Sequence, residues 1–139
     1  MKIIQFPAQR VIEINRLILK NGQGLRGGYD LQKLEGALGR IDNSIVYEGL
    51  EDVFLIAAKY AVAIAKSHAF SDANKRTGFA VCMEYLSLND YELEHDYEAL
   101  AEVMVGLVIG SISETDFANT LYAVWLSVES ETDIDWLME

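Results

Sequence analysis

Apolar positions recur with helical spacing along most of the chain, and strict alternation is scarce. Val11, Ile14, Leu17 and Ile18 give one apolar stripe to a helix that follows Pro7, the only proline. A proline is tolerated at or just before a helix start. The stretch "NGQGLRGG" carries four glycines in eight residues and ends that helix in a loop. Asp30 is placed to cap a short helix, "LQKLEGALGR", with Leu31, Leu34 and Leu38 on one face. "IDNSIVYEG" is the least helical stretch: Ile45, Val46 and Tyr47 favour extended backbone, which predicts a short hairpin or flap there. Residues 51–67 then read as a helix that is apolar nearly all round, from Val53 to Ile64. That pattern marks a helix buried at the centre of a domain. His68 stands at its C-terminal end.

Residues 73–88 predict another helix that is apolar on most faces. Gly78 inside it costs about 1 kcal/mol relative to alanine, a cost that close approach of a second backbone would explain. "LND" at 88–90 ends this helix. Asp96 is placed to cap one more, through about Val108. Ser113, with Asp116 three residues on, resembles a capping box for a last long helix carrying Phe117, Leu121, Val124 and Trp125. The acidic tail, "ESETDIDWLME", offers Ile134, Trp136 and Leu137 as docking groups. These elements predict an all-α chain of about six helices, residues 1–139 forming one domain in which a short polar loop joins two buried central helices.

Composition narrows the functional classes. The chain has 139 residues, 51% hydrophobic and 24% charged, which suits one soluble domain with its own core. Cys82 is the only cysteine, so no internal disulfide forms; Val81 and Met83 beside it make it a small buried hydrophobe. Twenty-two acidic against eleven basic side chains give a net charge of −11, which argues against non-specific nucleic-acid binding. A cluster of cations stands out against that background. The longest apolar stretch, "VFLIAAKYAVAIA", is interrupted by Lys59 and too short to cross a bilayer. The N-terminus, "MKIIQFPAQR", lacks the apolar core and cleavage site of a signal peptide, so the cytoplasm is the expected location.

The cluster lies in "SHAFSDANKRTGF", residues 67–79. Asp72 sits where an N-cap belongs, and Asn74, Lys75 and Arg76 follow in the first helical turn. A helix N-terminus carries partial positive charge, so each cation there is unfavourable by about 0.3–1 kcal/mol. A bound anion reverses the sign, because backbone N–H groups, the dipole and both side chains then converge on it. Singly, each residue has a plainer explanation. Asp72 alone is better read as a simple cap, Lys75 and Arg76 as a solvated face, and His68 as a helix-terminal histidine in contact with the dipole. Together, within nine residues, they favour one anion or phosphate site. An imidazole suits general-base work near neutral pH, Asp72 supplies a hard oxygen for a divalent metal, and Asn74 can position a phosphate oxygen. Phe70 is placed to pin the loop into the core.

His68-Ala69-Phe70-Ser71-Asp72-Ala73-Asn74-Lys75-Arg76 resembles the signature of the Fic/Doc superfamily, and more narrowly that of the death-on-curing (Doc) toxins, H-x-F-x-[DN]-[AG]-N-K-R. All seven constrained positions match. Upstream, "NGQGLRGGYDLQKLEGALGR" is similar to the family's G-rich turn and L-E-x-A-L-x-R segment, and the likeness extends over about residues 10–125. It implies a Fic fold with 42–47 as a flap that aligns the target segment. Lys75 stands where AMP-transferring Fic proteins have glycine, and Phe79 stands where they have a second arginine. Both departures are shared with Doc-type proteins.

The resemblance therefore implies a toxin that transfers the γ-phosphate of ATP to a threonine of elongation factor Tu and stops translation. His68 would deprotonate the hydroxyl, Asp72 would bind Mg²⁺, and Asn74, Lys75 and Arg76 would hold ATP phosphates, with Lys66 as a further cation. A small Phd-like antitoxin would cover the site in trans, since "SISETDF" does not match the [ST]-x-x-x-E-[GN] inhibitory motif. Two alternatives are AMP transfer to a protein and an inactive Fic-fold module that binds a nucleotide or partner.

Overall fold

The computed structural model describes residues 4–22, 27–93 and 97–137, without the side chains of 97–99 and 128–137. Six helices follow one another: α1 (Ala8–Asn21), α2 (Leu31–Tyr47), α3 (Val53–Ser67), α4 (Asn74–Leu88), α5 (Tyr97–Ile109) and α6 (Glu114–Leu137). The expected all-α architecture is the one observed, with no strand among the described residues beyond a single bridge between Tyr29 and Phe70. Among the described residues, no helix is long and apolar enough to cross a membrane. The expected Asp96 cap and the docking side chains Ile134, Trp136 and Leu137 lie outside the described residues.

The all-round apolar pattern of α3 has the predicted consequence. Helices α2, α4, α5 and α6 all pack on it, α4 most closely, and Ile56, Ala57, Ala58, Tyr60, Ala61 and Ile64 are fully buried. Gly78 explains the closeness: a Cβ there would come within 2.5 Å of the Ala61 carbonyl oxygen and 3.2 Å of the Ala65 nitrogen. Two backbones meet where a side chain would hold them apart, so the propensity cost of glycine is offset by packing. Cys82 is buried in the same layer, and burial pushes its thiol pKa up, consistent with a packing role. At the far end of α3, Phe54 meets Tyr91 and Tyr122 edge-on at 4.8 and 5.3 Å, and Trp125 closes the cluster against Tyr91 at 5.0 Å.

The expected flap is corrected. Helix α2 runs unbroken through Ile45, Val46 and Tyr47, and Glu48 N–H closes it on the Ser44 carbonyl. Local β-propensity is overridden by packing: Ile41 is buried, and Asp42 accepts from the Tyr60 hydroxyl at 3.1 Å. The direction of α2 also matters. Asp30 N–H donates to the Ala69 carbonyl at 2.7 Å, tying the start of α2 to the end of α3, and the Asp42–Tyr60 bond falls mid-way. The two helices are therefore antiparallel, and Tyr47, 82% exposed, lies toward the opposite end of α3 from His68.

Candidate active site

Helix α3 ends at Ser67, whose hydroxyl donates to the Ile64 carbonyl at 2.7 Å and accepts from Ala69 N–H at 3.1 Å. His68 follows as the C-cap in the left-handed region, φ 54°, with its side chain exposed. That reversal turns the chain so that Ala69 and Phe70 plunge into the core, both buried. Phe70 is the pin the sequence predicted. Asn74 then staples the loop: its Oδ1 accepts from Phe70 N–H at 3.2 Å and its Nδ2 donates to the Phe70 carbonyl at 3.0 Å. Both ends of the amide serve loop geometry, a role that spacing alone does not reveal.

The start of α4 differs from expectation in one respect. The N-cap is Ala73, φ 64°, whose own side chain makes no cap hydrogen bond. Asp72 lies one position earlier, and its Oδ1 accepts from Ala73 N–H at 2.7 Å. A left-handed residue before right-handed ones turns successive N–H groups toward one concave side, the form of an anion nest. The first N–H groups of a helix have no intrahelical acceptor, and an alanine at the cap supplies none from its own side chain. Lys75 and Arg76 occupy this first turn and are exposed, and Asp72 is half-buried beside them. A Cβ on Gly22 would come 3.5 Å from Arg76 Nη1, so the guanidinium reaches back to the end of α1.

Residues outside the motif hold it in place. Asn15 of α1 is 6% exposed, and its Nδ2 donates to the Asp72 carbonyl and to the Thr77 hydroxyl, both at 3.0 Å. It thereby pins the turn before α4 to α1. On the other side, Ser71 Oγ donates to the Gly28 carbonyl at 3.3 Å, and a Cβ on Gly27 would come 2.6 Å from Ser71 Cβ. Gly27 is thus a glycine where a side chain would collide with the motif. None of these was found from sequence. The signals were present, however, as a polar residue on the apolar face of α1 and as glycines in excess of what a turn needs.

One hollow adjoins this framework and a second lies apart from it. The first, of about 420 Å³, lies between α1 and residues 27–29, with Phe70 and Asn15 in its wall and the cations Arg16 and Lys20 at its rim. The other, of about 310 Å³, lies along α2 and α3 and takes in Lys66 with Arg40 and Lys59. The structure thus brings His68, Asp72, Asn74, Lys75 and Arg76 into one loop and helix start, and sets Lys66 in a separate hollow that none of them lines. No group of three His, Cys, Asp or Glu placed to hold a metal occurs among the described residues. Mg²⁺ that arrives with a nucleotide uses one or two carboxylates and completes its shell from phosphate and water, so the single Asp72 fits that mode.

The model of the Fic/DOC family matches residues 5–86, which include α3, the motif loop and nearly all of α4. The chain belongs to the Fic/DOC family. It is also 37% identical over 106 residues, 76% of this chain and 83% of the relative, to a protein of Escherichia phage P1 called "Protein kinase doc". The family match ends near the close of α4, so the framework that positions the motif lies inside it and α5 and α6 lie beyond it.

Proposed function

We propose that this protein is a Doc-like toxin that transfers the γ-phosphate of ATP to a hydroxyl of a protein, with a threonine of elongation factor Tu as the acceptor. The observation that carries the reading is the start of α4: a left-handed alanine at the cap, with Lys75 and Arg76 in the first turn, immediately after His68 and Asp72. The name of the phage P1 relative points the same way. Lys75 and Arg76, with first-turn N–H groups, hold the phosphates and stabilise charge as it spreads over the transferring group. Asn74 holds the loop in the shape that presents those N–H groups, with one Nδ2 hydrogen left to reach a phosphate oxygen.

His68 takes the proton of the acceptor hydroxyl while the new O–P bond forms; the bond from the γ-phosphorus to the bridging oxygen breaks, and ADP leaves. Asp72 holds Mg²⁺, which supplies charge neutralisation at the phosphates when bound. The hollow beside Phe70 and Asn15, apolar-walled with Arg16 and Lys20 at its rim, has the size and lining for the rest of the nucleotide. A Phd-like antitoxin that folds over the site restrains the toxin in trans.

ATP labelled at the γ- or the α-phosphate, incubated with a bacterial lysate and this protein, tests the reading. Label entering a protein of elongation-factor size from the γ-position alone, and not with the His68→Asn variant, is expected. Asparagine tolerates the left-handed backbone of that position. Label from the α-position alone contradicts it in favour of AMP transfer, and no transfer from either contradicts it in favour of a binding module.

A further inference from the structure

The hollow along α2 and α3 has no part in the chemistry above, and its charge runs against that of the chain. The protein carries 22 acidic and 11 basic residues, yet Arg40, Lys59 and Lys66 converge here with Glu114 as the one lining carboxylate. Glu114 pairs with Lys59 at 2.9 Å, and Arg40 and Lys66 form no ion pair with another described residue. The hydroxyl of Ser44 lines the wall, and the floor is apolar, Ile41 and Ala63 among it. Lys59, Ala63 and Lys66 recur at i, i+4 and i+7, and Arg40 and Ser44 at i and i+4. The hollow is therefore a groove between two helix faces.

The groove has a direction. Because α2 runs antiparallel to α3, its Lys59, Ser44 and Glu114 end lies toward mid-α3, and its Lys66 end lies at the last turn of α3, before His68 caps it. A chain laid along it would arrive at the end of α3 that carries His68.

We infer that the groove between α2 and α3 docks an acidic segment of the phosphoacceptor protein, Arg40 and Lys66 reading its carboxylates and the apolar floor taking a side chain between them. The inference rests on the reading that the acceptor is a protein. It reassigns Lys66 from the nucleotide to the protein substrate. Carboxylates on side chains suit the groove better than a nucleic-acid backbone, because a hollow of about 310 Å³ between two helices admits side chains rather than a duplex or a stacked strand. Rim charges of this kind set encounter and specificity more than the chemical step.

Two measurements on the full chain test it. A fluorescein-labelled oligoglutamate peptide, followed by polarisation, should bind the wild type and lose about tenfold or more in affinity to Arg40→Glu/Lys66→Glu. Equal binding to that variant, or preferred binding of a labelled single-stranded oligonucleotide, overturns the inference. Initial rates of γ-phosphate transfer into elongation factor Tu, with both substrates varied, give the second. Arg40→Glu should raise KM for the protein about tenfold while KM for ATP moves less than about twofold. An unchanged KM for the protein, or a raised KM for ATP with Lys66→Glu, overturns it. If the wild type transfers no γ-phosphate, the functional reading fails, and the peptide measurement still decides the groove.

Discussion

Helices α3 and α4 begin in opposite ways, although they pack against each other along their length. At the start of α3, Asp52 Oδ1 accepts from the N–H groups of Phe54 and Leu55 at 3.0 and 3.1 Å, and no cation lies in the first turn. The orphan donors are satisfied from within the chain. At the start of α4, the cap is a left-handed alanine with no side-chain acceptor, and two cations follow it. A start of the first kind is complete as a piece of folding. On the proposed reading the second kind is completed by an anion from outside; its shape is maintained by Asn15, by Asn74 and by the bond from Ser71 to the Gly28 carbonyl. If that reading holds, the contrast separates a cap that serves stability from an N-terminus kept for a ligand.

The largest expected effect on folding comes from lifting α4 off α3. Gly78→Ala raises helix propensity, yet its Cβ would fall 2.5 Å from the Ala61 carbonyl oxygen. We expect stability to fall by about 1–3 kcal/mol, read from the urea midpoint, because overpacking outweighs propensity. A stability gain would show that the two helix starts are not set by this crossing. Next, Asp52→Ala should lose about 0.5–2 kcal/mol in the same measurement, the usual consequence of removing a cap, and leave ATP affinity unmoved. Lys75→Ala should do the reverse. In phosphate-free buffer, stability should rise by about 0.3–1 kcal/mol, since a cation is removed from a positive helix end, while transfer activity falls. A loss of stability with Lys75→Ala would place that lysine in the fold rather than in the site.

The smallest effect sharpens the contrast between carboxylates. Asp52 accepts from two N–H groups at a helix start, whereas Asp42 is partly buried, and that burial raises its pKa above its ordinary 3.8, only partly opposed by the Tyr60 hydrogen bond. The native state therefore holds the Asp42 proton more tightly than the unfolded chain does. Its contribution to stability is present below pH 3.8 and is lost as pH rises through the raised value. Asp42→Asn should flatten the stability profile across that window, measured as urea midpoints against pH. An unchanged slope would remove Asp42 from the account.

Much of the fold was legible because its signals are local or periodic. Asp30 caps α2, accepting from Lys33 N–H, and Ser113 Oγ accepts from Asp116 N–H as the spacing predicts. The buried character of α3 and the close approach at Gly78 follow from composition within one helix. Tertiary context decided the rest. Val46 and Tyr47 favour strand by themselves, but α2 is carried through them by the packing of Ile41 and the bond from Tyr60 to Asp42. The motif residues were legible as a group, whereas their division of labour was not. Asn74 turned out to hold Phe70, and Ala73 rather than Asp72 is the cap. Asn15 lies 57 residues from the carbonyl it supports, a partnership visible only once α1 and α4 are packed.

The central claim is that the start of α4 is an anion site for the phosphates of ATP. Calorimetric titration of Mg·ATP into the wild type and into Lys75→Ala/Arg76→Ala tests it most directly. The account predicts binding to the wild type and an affinity lower by about tenfold or more in the double variant, as loss of charge-assisted phosphate contacts requires. Equal affinities in the two proteins would contradict it.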